Sequence, residues 1–362
     1  MDFDLACADC APSPSLLAAC EGCVDRAKEE ATTWRGTPEV RHADREVRGT
    51  WHTIAWDVVP INERCLAPLP DSWLALTADG LVDLRSGFVC TSPLTEVVDE
   101  VARRWHEPGP AVHTSADGRF AAVVTDYGNL GAIIDLRSGD VVFRLDRNHI
   151  HTAAVTPFPV VFLPGDRVMA ATGVRRLDVI DLSTGTVVTE RETDEDLYRG
   201  RLTLDPSGRW VVDDCWAWGP NGVPALIDVE QWLRGGGDPR GLMLSLREYA
   251  WDQPVAWVSP EVVAIARIGT DDEAMLDGVE LYSVPSGRQL SAFAGPAGAM
   301  WGHGGLLYVC AAEGLEVWDP AAGARIGVVA GFRPTAHRGG TFVALREGRL
   351  DSFDVDDQLP MG

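Results

Sequence analysis

Leu81-Val82-Asp83-Leu84-Arg85-Ser86-Gly87 returns as Ile133-Ile134-Asp135-Leu136-Arg137-Ser138-Gly139, and again as Val179-Ile180-Asp181-Leu182-Ser183-Thr184-Gly185. Each phrase is an apolar run closed by Asp, a short turn and Gly. Asp, Ser and Thr bond back to nearby backbone in tight turns, and Gly accepts positive φ, so the phrase predicts two short strands joined by a hairpin. Looser copies follow as Leu226-Ile227-Asp228-Val229-Glu230, as Leu281-Tyr282-Ser283-Val284-Pro285-Ser286-Gly287 with Ser in place of Asp, as Val317-Trp318-Asp319-Pro320-Ala321-Ala322-Gly323, and as Ser352-Phe353-Asp354-Val355. Measured between positions 83, 135, 181, 228, 283, 319 and 354, the spacings are 52, 46, 47, 55, 36 and 35 residues. These scatter about the length of a four-stranded unit.

Each phrase has similar neighbours. Ser115-Ala116-Asp117-Gly118 precedes Phe120-Ala121-Ala122-Val123-Val124, and Asp205-Pro206-Ser207-Gly208 precedes Trp210-Val211-Val212. Downstream come further β-rich runs, Val141-Val142-Phe143 and Thr186-Val187-Val188. Short strands separated by turn signals at regular intervals predict an all-β chain. These residues resemble the WD40 family of β-propellers: Val317-Trp318-Asp319 holds the Trp-Asp pair itself, Asp-Leu-x-Ser/Thr-Gly is a common form of the phrase, and Gly302-His303 supplies one Gly-His pair. The resemblance runs over residues 46–357, and most copies depart from it in lacking the Gly-His pair and the Trp. It implies a propeller acting as a non-enzymatic protein–protein interaction scaffold or adaptor.

Seven phrases predict seven blades, with six or eight as alternatives. The seventh copy ends near Asp357, too soon for its own outer strand. Residues 46–56, with Val47, Thr50, Trp51, Thr53, Ile54 and Trp56, are expected to supply that strand and so hide two edges at once. Two decorations interrupt the pattern. Residues 95–105 place Val97, Val98, Val101 and Trp105 on one helical face behind a Thr95 cap. Gly235-Gly236-Gly237 reads as a loop after a helical turn at residues 230–233.

Ahead of the repeats stand two cysteine pairs, Cys7-Ala-Asp-Cys10 and Cys20-Glu-Gly-Cys23, with nine residues between them. Two thiolates in Cys-x2-Cys can face one ion, and four complete a closed tetrahedral Zn²⁺ shell with no position left for chemistry. The helix-forming run after Cys23 would put the second pair near a helix start, where thiolate charge is favoured. The stretch resembles small zinc-knuckle and treble-clef modules, which implies a structural Zn²⁺ on Cys7, Cys10, Cys20 and Cys23. An iron–sulfur cluster, redox-active thiols and unligated cysteines remain as alternatives. The chain therefore divides into a four-cysteine zinc-binding module with linker at residues 1–45 and a propeller at residues 46–362. So small a module has too little core to fold alone, and metal binding would supply most of its stability.

Composition narrows the functional classes. Apolar residues make up 46% of the 362, enough for a large core. The net charge is 31 − 54 = −23, so the protein is acidic and lacks the basic footprint that nucleic-acid binding requires. Lys28 is the one lysine, which removes phosphate-loop and Schiff-base chemistry from the body. The acidic start Met1-Asp2-Phe3-Asp4 and the absence of a long apolar run predict neither secretion nor membrane insertion, hence a reducing, cytoplasmic setting. Cys65, Cys90, Cys215 and Cys310 read as core thiols.

Catalytic motifs are missing: Gly-x-Ser-x-Gly, His-Glu-x-x-His and the phosphate loop do not occur. His149 and His151 read as a loop feature. His113, His303 and His337 fall in expected innermost strands and can share a site only by meeting along the central channel. Asp194-Glu195-Asp196 reads as an acidic turn. Asp213-Asp214 and Asp271-Asp272 are strand neighbours facing opposite sides, which makes them poor acid–base pairs. Protein partners are therefore expected. The alternatives are an enzyme or small-ligand binder using the channel, and an acidic mimic of nucleic acid.

Overall fold

The computed structural model describes residues 39–45, 47–93, 106–148, 154–189, 197–218, 220–235, 241–346 and 348–355. The four paired cysteines, the helix expected over 95–105, His149, His151 and the 194–196 turn lie outside the described residues.

Turn chemistry builds the sheets as the repeated phrase predicts. In six of the copies the phrase's Asp or Ser is the last residue of a strand, as in Leu81–Asp83, Leu130–Asp135, Arg176–Asp181, Asn221–Asp228, Leu276–Ser283 and Gly314–Asp319. The Asp181 carbonyl accepts the Gly185 N–H at 2.8 Å and its Oδ1 accepts the Ser183 N–H at 2.9 Å, closing the turn. Gly185 sits at φ 67°, where a Cβ would be strained.

The fourth copy shows the rule by breaking it. Trp232 occupies the place where the other full copies have Gly, so the left-handed turn is closed to it. Asp228 instead caps a short helix, α1 (Val229–Leu233), its Oδ1 accepting the Gln231 N–H at 3.0 Å. Trp232 is buried beside Leu177 and Ile227. The chain then returns as Leu242–Met243 to complete the blade.

Among the described residues the sheets are seven, each antiparallel from an innermost to an outermost strand. Blade 1 runs from Leu66–Pro68 out to Gly87–Cys90, blade 2 from Gly109–Thr114 to Val141–Asp146, and blade 3 from Val160–Leu163 to Thr186–Val187. Blade 4 runs from Leu197–Leu204 to Leu242–Met243, blade 5 from Val255–Ser259 to Gln289–Ala294, and blade 6 from Ala299–His303 to Ala324–Ala330. Blade 7 starts at Ala336–Arg338, and its outermost strand comes from the other end of the chain.

Two N-terminal strands finish the ring. Strand β1 covers Arg41–Arg45 and β2 covers Gly49–Ala55. β2 pairs antiparallel with Arg349–Val355 in unbroken register, from Gly49 opposite Val355 to Ala55 opposite Arg349. The closing strand expected from residues 46–56 is thus in place. β1 adds a parallel fifth strand to blade 6, against Ala324–Ala330. Its residues fall in the stretch read as linker; Arg-His-Ala-Asp-Arg is polar and exposed at its start, so it carries no apolar alternation to announce a strand.

Every seam between neighbouring blades holds one apolar cluster. Leu74 and Val123 meet between blades 1 and 2, Phe120 and Val168 between 2 and 3, and Met169 and Val211 between 3 and 4. Val212 packs with Val263 between blades 4 and 5, Ala264 with Leu307 between 5 and 6, and Tyr308 with Phe342 between 6 and 7. Trp56, Leu66 and Trp73 pack on Val343 and Leu350 to join blade 7 to blade 1. Each large side chain so buried contributes about 1.5–3 kcal/mol, so the ring is stabilised seam by seam. Gly302 shows how tightly the centre is packed: a Cβ there would meet the Trp257 carbonyl oxygen of blade 5 at 1.8 Å. That glycine serves close blade-to-blade approach.

The blade 4–5 seam also buries an ion pair. Arg247, fully buried, places Nη2 2.7 Å from Glu280 Oε2 and donates from Nη1 to the Ala266 carbonyl at 2.6 Å. Glu280 in turn accepts the Tyr282 hydroxyl at 2.6 Å and the Gly269 N–H at 3.0 Å. Among the described residues no helix is long and apolar enough to cross a membrane.

Candidate functional site

An antiparallel blade puts its second-to-third-strand turn at the same end of the channel as the connection to the next blade. That end, here called the upper face, gathers Asn62–Arg64 ahead of blade 1, Asp126-Tyr127 of blade 2, Val174-Arg175 of blade 3, Trp218 of blade 4, and the 249–253 connection from blade 4 to blade 5.

Across this face the channel mouth is bridged by polar side chains. The Tyr127 hydroxyl donates to Asp252, 125 residues away in the chain. Arg201, from the innermost strand of blade 4, holds the other Asp252 oxygen with Nη2 at 3.2 Å and Nε at 3.3 Å. Arg64 pairs with the buried Asp126 at 3.3 Å, and Asp126 also accepts the Phe158 N–H at 3.0 Å. His106 stacks on Tyr127 with ring centroids 4.4 Å apart. Tyr127 (φ 58°) and Asp252 (φ 52°) both adopt the left-handed backbone region that non-glycine residues avoid. Two strained residues hydrogen-bonded to each other mark this bridge as over-determined by its surroundings. Burial, then the Asp252 charge, pushes the Tyr127 hydroxyl well above its ordinary range. It is held protonated, as a donor.

Asp213 and Asp214 diverge as strand neighbours should. Asp213 pairs with the buried Arg199 at 3.1 Å and accepts the Gly200 N–H at 2.9 Å. Asp214 faces the other way and accepts the Gln253 N–H at 2.7 Å. Burial, followed by the charge of Asp252, pushes the Asp214 carboxyl up to about 7. A folded pKa above the unfolded value means that the native state keeps a proton the unfolded chain has released. The stabilising contribution of this group is therefore full in acid and is lost as pH rises from about 4 to about 7. Asp214→Asn keeps the shape and the acceptor for Gln253 but does not titrate. Its stability relative to the parent chain is expected to improve by up to about 4 kcal/mol between pH 4 and pH 8. Urea unfolding of both chains at the two pH values measures this, and parallel pH profiles would refute it.

Beside the bridge lies an aromatic shelf. Trp216 packs on Tyr198 (4.7 Å), Trp218 (5.8 Å) and Trp251 (5.9 Å). The Trp251 indole N–H donates to the Val155 carbonyl at 2.9 Å, tying the shelf to blade 3. Trp218 is 64% exposed and Tyr249 59% exposed.

The three channel histidines do lie in innermost strands, of blades 2, 6 and 7, but they do not converge. His337 packs on Phe342 (4.7 Å) and near Trp301 (6.3 Å), and burial depresses its pKa to about 4. His303 lies against Gly340 in the same neighbourhood. His113 sits apart, in the field of Asp126 and Arg201. Among the described residues no three His, Cys, Asp or Glu side chains are grouped to hold a metal ion. Asp271 and Asp272 lie in a loop after Ile268, Asp272 pairing with Arg267. Of the single cysteines, Cys65 and Cys215 are buried and Cys90 and Cys310 half-buried. Burial raises all four thiols, Cys65 to about 11, which keeps them unreactive.

No family model and no curated protein sequence matches the chain. Solved structures do. A chain of the mitotic checkpoint complex crystal structure aligns with a TM-score of 0.55 at 13% identity, over 89% of this chain and 97% of that one. The Neurospora crassa Pan2 WD40 domain aligns with a TM-score of 0.53 at 11% identity, over 87% of this chain and 97% of that one. The fold is that of a WD40-like seven-bladed propeller. At such identities the likeness is one of fold. This WD40-like propeller carries its own upper-face chemistry: the sequence reading singled out the histidines and missed Tyr127, Arg201, Asp252 and the Trp216 shelf. Tyr127-Gly128-Asn129 and Trp251-Asp252-Gln253 look like ordinary turns. Only the closed ring brings them together.

Proposed function

We propose that this propeller is a non-enzymatic protein–protein interaction scaffold whose upper face docks a protein partner in the cytoplasm. One observation carries the reading: exposed Trp218 packs on the aromatic shelf, exposed Tyr249 is held nearby by its N–H on the Pro220 carbonyl at 2.9 Å, and the polar groups of the channel mouth are bonded to one another. Interface hot spots are enriched in Trp and Tyr held on rigid supports. The charge of −23 favours basic partner surfaces over nucleic acid. In the same proposal, Cys7, Cys10, Cys20 and Cys23 hold a structural Zn²⁺ in the N-terminal module.

Affinity capture with the full chain tests the scaffold. A Trp218→Ala/Tyr249→Ala variant is expected to lose captured partners at least about tenfold, each hot-spot residue contributing on the order of 2 kcal/mol, with no change in unfolding midpoint. Equal capture by the variant, or turnover of a defined substrate by the purified protein, would overturn the reading. Metal analysis of the full chain beside a Cys7→Ser/Cys10→Ser variant tests the zinc. One zinc per chain, lost in the variant, is the expected result. The alternative of a channel enzyme or ligand binder draws on the strained Tyr127–Asp252 bridge, and turnover abolished by Tyr127→Phe would favour it.

A further inference from the structure

Each blade of a propeller ends in an outermost strand, and an unpaired edge is a template for another strand unless something blunts it. Among the described residues six of the seven outer edges are blunted. Those of blades 3 and 4 are two residues long. Those of blades 1, 2 and 5 are interrupted by a register shift. Blade 6 is covered by β1, which is shifted in register and charged in sequence as Arg-His-Ala-Asp-Arg.

Strand β2 on blade 7 has none of these guards. Its seven residues, Gly49–Ala55, run without a bulge along Arg349–Val355 and include no Lys, Arg, Asp or Glu. His52 and Thr53 are tied back to that neighbour strand, to Asp354 at 3.1 Å and Asp351 at 3.0 Å, which holds β2 extended. Trp51 is 53% exposed although it packs on Phe332 and Phe353, and Ile54 is 50% exposed on the opposite face. Charge begins only at the ends: exposed Arg48 stands just before the strand and exposed Asp57 just after it.

We propose that the β2 edge is a homodimer contact, on which a second copy of this chain adds its own β2 antiparallel across a two-fold axis. The contact lies on the rim of the disc and does not rest on what docks at the upper face. Charge complementarity favours a second copy in this direction. Antiparallel pairing carries each Arg48 to the Asp57 end of the other strand, twice over by symmetry, whereas parallel pairing sets like charge on like. With the two His52 residues opposite each other, the two Trp51 rings become diagonal neighbours on one face. On the other face each Thr50 lies opposite the Ile54 of the second copy. Such a ladder adds about six backbone hydrogen bonds over a small area, the scale of a weak, reversible dimer. The opposing effect is the charge of −23 on each chain. At about 0.15 M salt, repulsion between charges more than about 8 Å apart is largely screened, and the uncharged strand keeps carboxylates out of the contact.

Sedimentation equilibrium of the full chain at about 0.15 M salt, from about 1 to 200 μM, tests this. A monomer–dimer equilibrium within that range is expected, with amide hydrogen exchange slowed along β2 as dimer forms. Arg48→Glu and Asp57→Arg should each weaken the dimer roughly tenfold, because two exposed attractions become two repulsions. Both side chains are exposed, so the unfolding midpoint of the dilute monomer should not move. Mixing the two variants should restore dimer as a heterodimer, since each contact then joins opposite charges again. A chain monomeric throughout overturns the proposal, and slow exchange along β2 in that monomer would show that another segment of the chain already covers the edge. A dimer indifferent to both substitutions places the contact elsewhere and overturns it too.

Discussion

A chain beginning at Asp57 is expected to be recovered as aggregate, or to unfold at least about 10 °C below a chain beginning at Glu39. The two differ by residues 39–56, which supply β1, β2 and Trp56. Without β2 the Arg349–Val355 strand of blade 7 has an open edge, and without β1 so does Ala324–Ala330 of blade 6. Exposed edges template pairing with other chains. Trp56 adds a packing loss: it is 3% exposed in the seam that joins blade 7 to blade 1, and deleting a buried Trp side chain costs about 3–5 kcal/mol. Trp51, 5.0 Å from both Phe332 and Phe353, is removed as well. Thermal unfolding followed by circular dichroism, with size-exclusion chromatography, compares the two chains. Equal midpoints and monomeric elution would mean that β2 does not lock the ring.

Arg247→Met is expected to lose about 3–5 kcal/mol of stability, because it strands Glu280 in the blade 4–5 seam with its charge uncompensated. Glu280 would keep the Tyr282 hydroxyl and the Gly269 N–H but lose the one cation within 4.0 Å of it among the described residues. The double variant Arg247→Met/Glu280→Gln removes both charges and should recover much of the loss, since an ion pair replaced as a unit is far less damaging than one broken. Denaturant unfolding of the two single variants, the double variant and the parent closes the cycle. A double variant as unstable as the sum of the singles would show that the two side chains act independently.

How much of this was readable in advance varies with the range of the contact. Seven phrases, their hairpin turns and the strand returned from the N-terminus were legible because each depends on residues within a few positions of one another, or on an unpaired edge that arithmetic exposes. Trp232 in the place of Gly even marks, after the fact, why the fourth blade opens its turn into α1. β1 escaped because a polar parallel edge strand carries no periodicity. The histidines were legible as innermost-strand residues, yet which of them are neighbours depends on the blades that carry them: His303 and His337 come from adjacent blades 6 and 7, and His113 from blade 2 stands apart.

The upper face lies beyond local reading altogether. Tyr127 meets Asp252 across 125 residues, and Trp251 meets Val155 across 96. Nothing in the turn Tyr127-Gly128-Asn129 distinguishes it from turns that touch only water. Turn residues, glycines of positive φ and apolar runs act over a few bonds, so the amino-acid order alone sets the blade, its repetition and the number of repeats. The bridge over the channel, the Asp214 proton and the aromatic shelf arise where residues of different blades meet. Only closing the ring sets those residues side by side, in a partly dehydrated space where charges and hydrogen bonds are strong enough to matter.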